Sequence, residues 1–83
     1  MYEWTSEAAE RLAAAIGEDA AAYNLSETDI EVLLSLARVA AHESGVKSNA
    51  PLICYLVGLA HNRHPDRRLD ELVEHATGAA GER

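Results

Sequence analysis

The chain has 83 residues with 14 acids against 7 lysines and arginines, a formal net charge of −7. Such an acidic chain argues against nucleic acid or an anionic membrane surface as partner, since both reward clustered Lys and Arg. One cysteine, Cys54, excludes an internal disulfide and a thiolate metal cluster, and a domain this short has to use every apolar turn it has.

Charge is distributed unevenly. Residues 1–31 hold eight acids and only Arg11 as a base, while residues 32–68 hold five bases against Glu43 and Asp66. The N-terminal stretch MYEWTSEAAERL lacks a basic region followed by an apolar run, so no signal peptide is expected. The longest apolar run, residues 50–60, would span about 16 Å as a helix, too short to cross a membrane. A cytoplasmic location is expected.

No repeat and no alternating apolar pattern supports strands. The first predicted helix covers residues 3–16, with Trp4, Ala8, Leu12, Ala15 and Ile16 on the stripe expected to face the core and Gly17 as its stop. Residues 18–25 read as a connector with room for a short turn through the alanines. The second helix, 27–44, has the clearest start: Ser26 as N-cap, Asp29 in capping-box position and Leu25 with Ile30 as a hydrophobic staple. Its expected buried face is Ile30, Leu33, Leu34, Ala37, Ala40 and Ala41, and Gly45 ends it.

Ser48 or Asn49 can cap the third helix, 50–63, which carries Pro51 in its first turn. From Leu52 to Ala60 it is apolar almost all round, so it is expected to be central, or else to turn part of its surface to a partner. Gly58 inside it suggests a close backbone approach, since glycine costs about 1 kcal/mol of helix propensity relative to alanine. Pro65 stops the helix, and Asp66 can cap a fourth, 66–77, with Leu69, Leu72, Val73 and Ala76 inward. The tail from about residue 78 is expected to fray. These elements make one all-α, compact four-helix domain with the third helix central.

Glu31, Ser35, Arg38 and His42 form one polar stripe on the second helix. Its bland reading is a solvated face. Its sharper reading groups Arg38 and His42 with Lys47, Ser48 and Asn49 at the start of the third helix, where amides and cations could hold a carboxylate or phosphate. Arg63, Arg67 and Arg68, with His64, form a second basic cluster; Arg67 and Arg68 stand at a helix N-terminus, where cations are disfavoured, which favours an acidic partner such as another copy's first helix.

His61 and His64 are spaced to share a metal, but Pro65 interrupts the helix and no carboxylate has complementary spacing, so no metal site is expected. The flanks of Cys54 suit a buried structural thiol better than a nucleophile. Asp70, Glu71 and Glu74 read as solubilising residues. Without a phosphate loop, serine elbow or dinucleotide fingerprint, the chain reads as non-catalytic and without a cofactor. Nor does a helix-turn-helix reading fit, because the helix after the turn lacks base-reading side chains.

The segments LLSLARVAAH and APLICYLVGLA, with Trp4, resemble a small actinobacterial family of helical domains. Its pattern is met here at Leu33, Leu34, Leu36, Ala37, Arg38, Ala41, His42, Ala50, Pro51, Leu52, Tyr55, Leu56 and Gly58. The chain departs from that pattern at Ser35, where an acid is common, at Lys47-Ser48-Asn49 and at Ile53. Members occur alone or fused to the molybdopterin-guanine dinucleotide biosynthesis protein, the molybdenum cofactor guanylyltransferase. The resemblance therefore implies an accessory domain in molybdenum cofactor maturation with no established chemistry of its own, and the apolar third helix with the basic centre between acidic ends points to a protein-binding module. Its expected partner is that guanylyltransferase or a second copy, bound through the third helix and Arg38, His42, Lys47, Ser48, Asn49, Arg63 and Arg67. The alternative is a domain binding a small anion: a phosphate, a nucleotide or a pterin.

Overall fold

A computed structural model describes residues 1–78 and shows four helices with no strand among the described residues. They are α1 (Glu3–Ile16), α2 (Glu27–Ser44), α3 (Asn49–Arg63) and α4 (Leu69–Thr77), with a 3-10 turn, Ala20–Tyr23, after α1. The all-α four-helix class is therefore as the sequence reads. The expected fraying of the tail concerns residues 79–83, which lie outside the described residues.

The local signals for α2 act as anticipated. The Asp29 N–H donates to Ser26 Oγ at 3.0 Å and the Ser26 N–H donates to Asp29 Oδ2 at 3.2 Å, so two otherwise unmet amides satisfy each other's side chains. Gly17 and Gly45 end α1 and α2 with φ of 74° and 72°, a left-handed conformation that glycine adopts without a Cβ clash.

The helices share their apolar surface differently from the pattern expected. α2 packs on α3 and α4, and α3 on α4, whereas α1 lies mainly against the 3-10 turn, with Thr5, Ser6 and Ala9 beside Leu25 and Ile30. Among the described residues three are buried: Ala13, Leu36 and Val57. On α1 the buried residue is Ala13, while Trp4, Leu12 and Ile16, expected inside, are 74%, 53% and 52% exposed. Their stripe is real, but no element of the same chain covers it. On α2, Leu36 is buried and Leu34 is exposed, because α3 and α4 approach a face rotated from the leucine pair expected there.

α3 is not wrapped on every side. Ile53, Cys54, Val57 and Ala60 form its sheltered side, and Leu52, Tyr55, Leu56 and Leu59 face outward. Of the two alternatives the sequence leaves for this helix, the structure therefore matches the one in which part of its surface faces away from its own chain. Ser48 has helical angles (φ −67°, ψ −12°) and its side chain makes no capping bond, so neither it nor Asn49 caps α3 as expected. α4 begins at Leu69 rather than at residue 66: the Arg67 N–H closes a turn onto the His64 carbonyl, and Arg68 is extended before the helix starts. Asp66 is thus not its cap, and Ala76 faces outward.

No backbone comes close to Gly58 within the chain, and a Cβ there would meet nothing within 4 Å. Gly58→Ala should then raise the unfolding free energy by about 0.5–1 kcal/mol, the usual glycine penalty inside a helix. Urea titration measures this; a loss of stability would mean that another chain's backbone lies against Gly58.

Candidate docking surface

The outer side of α3 presents Leu52, Tyr55, Leu56 and Leu59 in the i, i+3, i+4, i+7 spacing of a single helix face. They are 61%, 67%, 57% and 41% exposed. Isolated exposed leucines are ordinary; here four large apolar side chains share one helix face. Beside it, α2 and α3 enclose an open groove of about 440 Å³ lined by Leu36, Val39, Leu52, Ile53, Leu56 and Ala76, with Glu43, Ser44, Asn49 and Thr77 supplying polar atoms. No periodicity signal could have located the groove, since it depends on how α4 ends against α2 and α3.

Arg38 and His42 are exposed on α2, and Lys47 and Ser48 are exposed in the connection to α3, where Asn49 is half-buried. Arg63 is exposed at the end of α3. No side-chain hydrogen bond or ion pair joins any of these six to another described residue. His42 and Arg63 lie in the last turns of their helices, where the dipole favours positive charge. At the start of α3 the Asn49 and Ala50 N–H groups already donate to the Val46 and Lys47 carbonyls, and Pro51 has no N–H. The first turn therefore has few amides left to offer an anion.

The second basic cluster is used locally. Arg67 Nη1 is 2.7 Å from Glu71 Oε1, and Arg68 is 3.1 Å from Asp70 Oδ1. The two arginines thus meet the first-turn acids of α4, which corrects their reading as misplaced charges and that of Asp70 and Glu71 as mere solubilisers.

Cys54 is half-buried, its Sγ donating to the Leu33 carbonyl at 3.9 Å, and burial raises its thiol pKa. Burial and a carbonyl partner both work against a reactive thiolate at this position. No group of three or more His, Cys, Asp or Glu could hold a metal ion among the described residues. No described helix is long and apolar enough to cross a membrane. The outer side of α3 and its surroundings thus present an apolar face with a basic margin.

The whole chain, residues 1–83, matches the model of a family described as a domain of unknown function, DUF6457. No curated protein and no solved structure matches it.

Proposed function

The chain belongs to the DUF6457 family, and from that premise we propose that it is a protein-interaction module without chemistry of its own, docking through the outer face of α3. One observation carries the reading: Leu52, Tyr55, Leu56 and Leu59 form a single apolar face that none of the described residues covers. Aromatic and leucine side chains gathered in this way supply the desolvated centre of an interface, and a polar rim completes it. Arg38, His42, Lys47, Ser48, Asn49 and Arg63 furnish that rim, while the charge of Arg67 is already met by Glu71.

Resemblance to actinobacterial domains fused to the molybdenum cofactor guanylyltransferase gives this module a place: an accessory to that enzyme in cofactor maturation. A cytoplasmic location belongs to the same reading, because the lone Cys54 allows no internal staple of the kind oxidising compartments favour. Titrating the labelled chain with the purified guanylyltransferase from the same cells tests it. Saturable binding that weakens in Leu56→Glu and in Arg38→Ala is expected; a flat titration overturns the enzyme as partner.

A further inference from the structure

We infer that the outer face of α3 is covered by α1 of a second copy of this chain, in a two-fold dimer where each copy receives the other's α1. The inference rests on the docking reading above and names a second copy as the occupant when the chain is alone, so that the guanylyltransferase would have to displace α1 to reach the same face.

The chain carries two unpartnered apolar stripes, not one. Trp4, Leu12 and Ile16 lie along one side of α1, and Leu52, Tyr55, Leu56 and Leu59 along one side of α3. Meanwhile α1 packs chiefly on the 3-10 turn, and the residues that reach Leu25 and Ile30 are Thr5, Ser6 and Ala9, not the apolar stripe. Each stripe has the apolar character that the other lacks a cover for, and a two-fold exchange covers both stripes in both copies, leaving none to propagate a chain of contacts.

The surface area supports association on this scale. A folded monomer of 9.0 kDa should expose about 4,900 Å², whereas this chain exposes 6412 Å². The excess, roughly 1,500 Å², is larger than the ~800 Å² that each partner gives up in an interface of standard size.

Charge selects the arrangement. α1 carries Glu7 and Glu10 against one base, Arg11, with Glu3 already paired to the amino terminus at 2.7 Å. Between Glu43 and Asp66 there is no acid, while Lys47 and Arg63 stand at the two ends of α3. An antiparallel α1 brings Glu7 toward Arg63 and sets the positive dipole end of one helix against the negative end of the other.

Sedimentation velocity on the full chain should give twice the 9.0 kDa chain mass. Trp4, the only tryptophan, should emit at blue-shifted wavelengths and move to the red on dilution. Leu12→Glu and Leu56→Glu, at positions exposed in the lone chain, should each give the single-chain mass and a red Trp4 spectrum with unchanged far-ultraviolet circular dichroism. In a Cys54→Ser background, a short bismaleimide should join Leu12→Cys copies to Leu56→Cys copies when the two are mixed. A single-chain mass at every concentration overturns the inference, as does a dimer in which Leu56→Cys copies link only to one another. If the chain is monomeric yet binds the guanylyltransferase, the docking reading stands and the exchange falls; if neither associates, both fall.

Discussion

Leu36→Ala is expected to lower the unfolding free energy by about 2–5 kcal/mol, the usual cost of removing a buried leucine and leaving space behind. Leu36 is 1% exposed and is the largest fully buried side chain among the described residues. Only Ala13 and Val57 share its degree of burial. A chain of 83 residues has roughly 4–12 kcal/mol of total stability on a per-residue basis, so one truncation removes a large part of it. Leu36 also lines the groove between α2 and α3, so water can enter the enlarged space and the loss should fall toward the lower end of the range. Urea unfolding followed by circular dichroism measures it; a loss below about 1 kcal/mol, the scale of a routine substitution, would show that α2, α3 and α4 are not held together at Leu36.

Leu56→Glu should act in the opposite manner, leaving the chain's own stability within about 0.5 kcal/mol and weakening association by on the order of a hundredfold or more. Leucine and glutamate have similar helix propensities, and Leu56 is 57% exposed in the single chain. α3 therefore loses little when the substitution is made. In a complex the new carboxylate would be buried in an apolar contact with no designed partner, and an uncompensated charge in such a place costs several kcal/mol. Comparing unfolding of the dilute chain with binding isotherms separates the two effects. Equal losses in both would mean that Leu56 belongs to the chain's own core.

Local sequence signals read well because they are settled within a few residues. The Ser26–Asp29 capping box and the glycines after α1 and α2 are examples: each is fixed by hydrogen bonds or backbone angles that neighbouring residues determine. Burial read less well. The stripe through Trp4, Leu12 and Ile16 is correctly grouped, yet periodicity says which side chains share a face and not what covers that face. The same limit explains the exchange of Leu34 for Leu36 on α2, where the direction of approach of α3 and α4 decides which leucine is inside.

The basic clusters show a related difficulty. Arg67 and Arg68 look misplaced when charge is weighed against the helix dipole alone, but Glu71 and Asp70 lie within ion-pair distance once the chain bends at His64. Such exposed pairs contribute little to stability, and both arginines remain exposed beside their acids. The all-round apolar character of residues 52–60 is the strongest legible sign of the exposed apolar face. It could not show which side of α3 would be left outside, because that depends on the packing of α3 against α2 and α4.

Hydroxyl-radical footprinting of Tyr55 inside cells that express the chain at its natural level tests most directly whether protein covers the outer side of α3. Tyr55 is 67% exposed in the isolated molecule. Coverage predicts that its ring oxidises far more slowly in the cell than in the isolated, dilute chain, whichever partner is present; equal rates in the two settings would contradict a docking role for α3.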